Sequence, residues 1–175
     1  MVELYTGHGK GKTTAALGLV WRMLGAGGRV YVCQFLKPAD RTTGEATLAE
    51  NFSDRLVFER LEHDWDMRLA DRDQCQAQQA RDAIASKLAE VQNQARTTSY
   101  DLIILDEIVF CLSRRLARFE DVEAIIDERA ATVELVLTGR DADEALIARA
   151  DLVTRMENVK HPYSSGSIAR SGIEY

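Results

Sequence analysis

The chain has 175 residues, 46% apolar and 29% charged, proportions that exclude a disordered protein and favour a single globular domain over residues 1–175. A formal charge of -6 argues against a nucleic-acid-binding surface, and no apolar run approaches the ~20 residues of a membrane span. The first apolar run begins at Val2, so we expect no signal peptide. Cys33, Cys75 and Cys111 lack metal-ligand spacing, so we expect reduced thiols in a cytoplasmic protein.

Six short apolar runs alternate with stretches of helical character along the chain. Strands are predicted over residues 2–6, 30–36, 56–61, 102–105, 133–137 and 152–156. Helices are predicted over residues 13–24, about 66–96, 119–130 and 142–150, the second of them from apolar residues three and four apart. Several strands are continuous in Val, Ile and Leu, as expected where both faces are covered. The pattern predicts an α/β fold with a mainly parallel sheet of about six strands and helices on both faces.

The turn between the first strand and the first helix is rich in glycine. It reads Thr6-Gly7-His8-Gly9-Lys10-Gly11-Lys12-Thr13-Thr14, the layout of a phosphate-binding P-loop. Glycines let backbone N–H groups converge on an anion, and the start of the helix adds its positive dipole end. Lys12 would reach phosphate oxygens, and the Thr13 hydroxyl would bind magnesium. The usual pattern begins with glycine where this chain has Thr6, so a glycine turn without a ligand is the alternative.

Two carboxylates follow the strand predicted over residues 102–105. Parallel α/β sheets place ligands at the carboxyl ends of their strands, and P-loop proteins use an acidic residue there to hold magnesium. Asp106 and Glu107 are therefore candidate metal-binding residues, with Thr13 opposite them. A solvated acidic turn is the alternative. Together with the P-loop, the carboxylates predict a three-layer, RecA-like nucleotide-binding fold.

Basic residues follow two further strands. Arg140 would emerge at the same edge of the sheet and pair with phosphate oxygens; alternatively it is a surface residue beside Asp141, a candidate helix cap. Lys37 ends the second strand, and the polar loop over residues 40–44 either moves over a ligand or is simply exposed. From residue 157 onward the chain has no helical or strand period, which is typical of a frayed end.

Taken in order, these motifs resemble those of the P-loop ATP:cob(I)alamin adenosyltransferases, the corrinoid adenosyltransferase family, which also begins its loop with Thr-Gly. After the P-loop come Gln34-Phe35-Leu36-Lys37, Gly44-Glu45, Leu105-Asp106-Glu107, Thr138-Gly139-Arg140, Ala150-Asp151-Leu152-Val153-Thr154, Lys160-His161-Pro162 and Gly172-Ile173-Glu174-Tyr175. The resemblance covers essentially the whole chain, and the ordered set is specific although each piece is modest. It implies that residues 157–175 form an extended functional segment.

The resemblance implies transfer of the 5′-deoxyadenosyl group of ATP to the cobalt of a reduced corrinoid, with tripolyphosphate leaving. The triphosphate would lie in the loop in the reverse of the usual sense, so that the 5′ carbon faces the corrinoid. Mg²⁺ or Mn²⁺ would be held by Thr13, Asp106 and Glu107. The implied catalytic residues are Lys12, Glu107 and Arg140. The implied binding residues are Thr6, Gly7, His8, Gly9, Lys10, Gly11, Lys12, Thr13, Thr14, Lys37, Glu45, His63, Trp65, Arg140, Lys160 and His161.

The resemblance further implies a homodimer and an electron-donating flavoprotein reductase, because Co(I) requires a separate donor. The family packs aromatic side chains below the corrinoid, in a Phe-Thr-Trp segment that corresponds here to His63-Asp64-Trp65. His63 either replaces the phenyl ring or ligates cobalt. His8, where the family often has Asn or Asp, is expected near the nucleoside. A helix that some members carry before the first strand has no counterpart in this sequence, so we expect its capping role to be either missing or supplied elsewhere.

Two other functions stay open. A different P-loop enzyme, a small-molecule kinase or an NTPase, would release ADP or orthophosphate instead of tripolyphosphate. A non-catalytic regulator would bind nucleotide or corrinoid without transferring the adenosyl group, and the departure at His63 keeps this alternative open. In each case we expect small-molecule ligands, with neither a nucleic acid nor a membrane as partner.

Overall fold

The structure, a computed structural model, describes residues 1–38, 43–63, 74–160, 170 and 172–173. Its strands are β1 (Val2–Thr6), β2 (Val30–Pro38), β3 (Leu56–His63), β4 (Leu102–Asp106), β5 (Glu134–Thr138) and β6 (Leu152–Arg155). Its helices are α1 (Lys12–Gly25), α2 (Gly44–Ala49), α3 (Gln74–Arg96), α4 (Ile108–Ser113), α5 (Phe119–Glu128) and α6 (Glu144–Arg149), with a 3-10 turn over Glu50–Phe52.

The six strands form one sheet in the order β3-β2-β4-β5-β1-β6, and every neighbouring pair is parallel. The predicted parallel α/β sheet is therefore confirmed. Because all strands run the same way, the loops that follow β1, β2, β4 and β5 meet at one edge. β5 lies between β1 and β4, so the residue that ends β5 lies between the carboxyl ends of these two strands.

Helices cover both faces of the sheet, as β4 illustrates. Ile103 and Leu105 pack in the layer that contains α3, α4 and α5. Leu102 and Ile104 point the other way and pack against α1, where Val20 is buried. All five residues of β4 are buried, which explains why the four before Asp106 are continuously apolar rather than alternating. The protein thus has the three layers predicted from the sequence.

Two short helices were not predicted. α2 begins at Gly44, where a polar loop was expected to end, and α4 follows Glu107 directly. Each has six residues, less than two turns, so its periodic apolar face is weak in the sequence, although α6 is equally short and was predicted. α3 begins at Gln74, and the part of its prediction over residues 66–73 lies outside the described residues.

The two edges of the sheet differ in burial. All four residues of β6 are exposed, whereas the described residues of β3 are buried or half-buried. In the ranges that the structure describes, no helix combines the length and apolar character needed to cross a membrane.

The three cysteines provide a first test of the fold. Cys33 and Cys111 are 0% exposed; burial raises the pKa of Cys33 to about 12 and that of Cys111 well above its usual value. Cys75 is exposed. Because the thiolate is the reactive form, iodoacetamide at about pH 8 should modify Cys75 alone in the folded protein and all the cysteines after unfolding. Intact-mass spectrometry counts the adducts, and rapid native labelling of Cys33 or Cys111 would contradict their burial.

Candidate nucleotide-binding site

The phosphate loop connects β1 to α1 in a conformation that needs glycine at two points. Gly7 and Gly11 have φ of 96° and 118°, values that residues with a side chain rarely adopt. Gly11 is also the residue before the first turn of α1. The N–H groups that begin a helix have no partner within it, so the loop and α1 present donors to an anion.

Lys12 lies at the base of this loop and is 6% exposed. Its Nζ donates hydrogen bonds of 2.8 Å to the carbonyl oxygens of Gly7 and Gly9. An ammonium has three donors, so one remains for a phosphate oxygen. Burial lowers the pKa of Lys12; the Glu107 carboxylate opposes this effect, and the Arg140 guanidinium adds to it. These charges show that the structure brings Lys12, Glu107 and Arg140 into one electrostatic environment.

Asp106 is held by hydrogen bonds from three elements. Its Oδ1 accepts from the hydroxyls of Thr13 at 2.9 Å and Thr138 at 2.6 Å. Its Oδ2 accepts from Nε2 of Gln34 at 3.1 Å. The carboxylate is only 1% exposed, so these donors fix its orientation and satisfy its charge in the interior.

The oxygen atoms around Asp106 fit a hard divalent cation. Carboxylates and hydroxyls such as those of Asp106, Glu107 and Thr13 are the ligands that Mg²⁺ prefers. Oε1 of Gln34 is buried without a hydrogen-bond partner among the described residues, and a metal-bound water would supply the donor. Those residues contain no group of three or more His, Cys, Asp and Glu suited to a metal. The site therefore suits an ion that keeps waters and phosphate oxygens as ligands.

The loop after β5 reaches the phosphate loop through a contact between the side chains of His8 and Asp141. Nε2 of His8 lies 3.1 Å from Oδ1 of Asp141, and both side chains are largely exposed. Arg140, the residue before Asp141, is also exposed. Asp141 does not cap α6: the cap is Asp143, which accepts a hydrogen bond of 2.8 Å from the Leu146 N–H. The alternative that placed a cap at Asp141 was therefore wrong.

Comparisons with known proteins agree with this geometry. The family described as ATP:corrinoid adenosyltransferase BtuR/CobO/CobP matches residues 1–175 of the chain. The chain belongs to this family. A corrinoid adenosyltransferase from Sinorhizobium sp is 37% identical over 179 residues, spanning 100% of this chain and 80% of that protein. The Pseudomonas aeruginosa corrinoid adenosyltransferase is 33% identical over 174 residues, or 98% of this chain and 82% of that protein.

More distant proteins extend the comparison. The Escherichia coli (strain K12) corrinoid adenosyltransferase is 29% identical over 175 residues, which are 100% of this chain and 85% of that protein. A solved structure of a DNA replication initiation factor is 14% identical with a TM-score of 0.43, covering 89% of this chain and 39% of that chain. This last likeness is too weak to add to the family assignment.

The remaining residues predicted for the adenosyltransferase site differ in their burial and in their contacts. Thr6 is buried, and its hydroxyl accepts a hydrogen bond of 3.3 Å from the Ala142 N–H. Oε1 of Glu45 accepts a longer bond of 3.4 Å from Gln34. Besides His8 and Arg140, three further predicted residues are exposed: Lys10, Thr14 and Lys160. Four predictions lie outside the described parts: the side chains of Lys37 and His63, and the residues Trp65 and His161.

Sequence reasoning missed two residues that contact Asp106. Gln34 and Thr138 stood in the motifs that carry the resemblance, but neither was assigned a role. The available signal was positional: Gln34 lies midway along β2 in register with Asp106, and Thr138 ends β5, the strand on the other side of β4. Polar residues at adjacent carboxyl ends of parallel strands are candidates for the same site.

A substitution at Gly9 tests how closely the phosphate loop packs against the backbone at Met156 and Glu157. A methyl group there would lie 2.6 Å from the carbonyl carbon of Met156 and 2.7 Å from the Glu157 nitrogen, both backbone atoms. We expect Gly9→Ala to lower the free energy of unfolding by about 1–3 kcal/mol and to weaken ATP binding. Gly18→Ala is the matched control, because nothing lies within 4 Å of its added methyl group on α1. Urea unfolding should show a gain of about 0.5–1 kcal/mol for Gly18→Ala, and a similar gain for Gly9→Ala would contradict the close contact.

Proposed function

We propose that this protein transfers the 5′-deoxyadenosyl group of ATP to the cobalt of a reduced corrinoid and releases tripolyphosphate. The observation that carries the proposal is the 2.9 Å hydrogen bond between Thr13 and Asp106, beside the buried Lys12. It joins the phosphate loop to the carboxylate strand, the arrangement that a metal-bound triphosphate requires. The match of the whole chain to an ATP:corrinoid adenosyltransferase family supplies the reaction.

The phosphate loop would hold the triphosphate and stabilise it as it leaves. The third N–H donor of Lys12 and the backbone donors at the start of α1 would take phosphate oxygens. Arg140 is exposed at the same edge of the sheet, where its guanidinium would pair with further oxygens. These groups stabilise charge that grows as the bond to the triphosphate breaks, so they would act mainly on the rate of transfer.

Mg²⁺ or Mn²⁺ would bind between Thr13 and the two carboxylates. When bound, the metal neutralises charge on the leaving triphosphate. Thr13 and Asp106 already share a hydrogen bond and would turn their oxygens to the ion, while Gln34 holds the other oxygen of Asp106. Glu107 has φ of 67° and donates its N–H to the Thr138 hydroxyl at 3.0 Å, which fixes its backbone beside the site.

The chemistry needs no nucleophile from the protein. Co(I) of the substrate supplies both electrons of the new cobalt–carbon bond, and the electron pair of the broken C5′–O bond leaves with the tripolyphosphate. The protein would align C5′ with cobalt and exclude water. The corrinoid would lie near the segment that contains His63 and Trp65.

We further propose the cellular setting implied by the family resemblance. An electron-donating flavoprotein reductase would generate Co(I), because nothing in the transfer step supplies those electrons. The enzyme would act as a homodimer in the cytoplasm, with residues 1–175 as one P-loop domain. Analytical ultracentrifugation of the purified protein tests the dimer directly.

The decisive experiment is an anaerobic incubation with chemically reduced cob(I)alamin, ATP and Mg²⁺. Visible spectra should show conversion to light-sensitive adenosylcobalamin, and ion chromatography should show tripolyphosphate in equal amount. Production of ADP or orthophosphate without a spectral change would instead identify a kinase or an NTPase. Binding of ATP without any turnover would identify a regulator, and either outcome would overturn the proposal.

A further inference from the structure

The segment that follows β6 packs against the phosphate loop. The N–H of Met156 donates to the Thr6 carbonyl oxygen at 2.8 Å, which extends the pairing of β6 with β1 by one residue. The Met156 carbonyl oxygen then accepts from the Gly9 N–H at 2.7 Å. A methyl group on Gly7 would lie 2.4 Å from this same oxygen, so the contact is between two backbones.

Asn158 adds a contact through its side chain. Its Oδ1 accepts a hydrogen bond of 3.1 Å from the Lys10 N–H, and its Nδ2 donates a longer one of 3.4 Å to the His8 carbonyl oxygen. The two loop groups lie on either side of Gly9. One amide therefore bridges a donor and an acceptor of the loop, across 148 and 150 residues of sequence.

These contacts bear on how the loop binds an anion. A phosphate loop works when its inner N–H groups stay convergent, and backbone groups that point outward need partners elsewhere. Met156 and Asn158 supply such partners for three consecutive residues, His8 to Lys10. A loop that is already held in its binding shape loses less conformational freedom when the ligand arrives, so it binds more tightly.

We propose that Asn158 is a positioning residue that holds the phosphate loop in its nucleotide-binding shape without touching the nucleotide. The inference rests on the proposed function of the loop. It also predicts coupling in the opposite direction: because linkage is reciprocal, ATP should stabilise the segment around Asn158. The segment after β6 would then support the nucleotide site without contacting the nucleotide.

The test compares Asn158→Ala with Val159→Ala, a neighbouring substitution of a side chain that is fully exposed. Calorimetric titration of ATP with Mg²⁺ should show affinity about 3- to 10-fold weaker for Asn158→Ala, the effect of losing one or two modest hydrogen bonds, and unchanged affinity for Val159→Ala. The KM for ATP should rise in proportion, while kcat at saturating ATP stays within about twofold, since the loop is restored once ATP is bound. Amide exchange of a peptide that contains Lys10 should accelerate in Asn158→Ala alone.

The outcomes separate this inference from the proposed function. If the unmodified protein fails to bind ATP or to transfer the adenosyl group, the proposed function is wrong. If it does both and Asn158→Ala binds ATP as tightly as Val159→Ala, the role of Asn158 is refuted. A lower melting temperature with unchanged affinity and unchanged Lys10 exchange would show a purely structural residue and would also refute it.

Discussion

Replacement of Lys12 by alanine is expected to remove ATP binding detectable by calorimetry and to lower adenosyl transfer by at least about 10²-fold. The Lys12 ammonium is buried and bonded to two loop carbonyl oxygens, so it is fixed in place before the nucleotide arrives. A charge that needs no rearrangement stabilises the departing triphosphate more effectively than a mobile one. Because this interaction also strengthens as the bond breaks, kcat should fall in any residual activity, in addition to the loss of ATP affinity.

Lys87→Ala is the matched control for this loss of charge. Lys87 lies on α3, where it pairs with Glu59 at 3.1 Å and with Glu90. Its removal takes the same charge from the protein but leaves the phosphate loop intact, so ATP affinity should not change. Retained ATP affinity in Lys12→Ala, with circular dichroism showing a folded protein, would count decisively against the phosphate-loop assignment.

Asp106→Asn is expected to slow the Mg²⁺-dependent reaction by about a hundredfold or more, because metal coordination contributes several kcal/mol and each 1.4 kcal/mol is about tenfold. The substitution removes a charge that the metal needs. It also places an amide NH₂ group among donors, since Asp106 accepts hydrogen bonds from Thr13, Thr138 and Gln34. Such a mispaired buried group costs about 1–3 kcal/mol of stability.

The measurement is the rate as a function of Mg²⁺ concentration, together with the melting temperature. Asp106→Asn should need much more Mg²⁺ for half of its own maximal rate. Asp54→Asn is the control, since the Asp54 side chain is 76% exposed and lies 3.5 Å from Arg55, away from the site. An unchanged Mg²⁺ dependence in Asp106→Asn would remove this carboxylate from the metal site, whatever its effect on stability.

Local sequence signals predicted most of the sheet and the main parts of the site. The four continuous apolar residues of β4, residues 102–105, were recognisable because burial on both faces leaves no alternating polar position before Asp106. Thr13 and Asp106 were placed opposite each other by a general rule, that parallel strands bring their carboxyl ends to one edge. The helices α2 and α4 escaped prediction because six residues give only a weak helical period, although the equally short α6 was predicted.

Contacts between distant segments could not be predicted in the same way. The position of β5 between β1 and β4 places Thr138 against Asp106, and no local pattern encodes that strand order. Asn158 lies in a segment without helical or strand periodicity, so nothing in the sequence indicates its hydrogen bond with the Lys10 N–H. His8 stays predicted near the nucleoside, and no local pattern encodes the contact of its side chain with Asp141.

The sequence by itself determined the kind of chemistry: a glycine-rich loop with Lys12 and Thr13, a strand that ends in Asp106, and an ordered set of motifs specific to one family. These signals are local, because they arise from backbone freedom, charge and periodicity within a few residues. Only the tertiary structure decided which groups hydrogen-bond to these residues: Gln34 and Thr138 to Asp106, and Asn158 to the phosphate loop. Such partners depend on strand order and on the path of the chain after β6, which are set by packing of the whole sheet rather than by neighbouring residues.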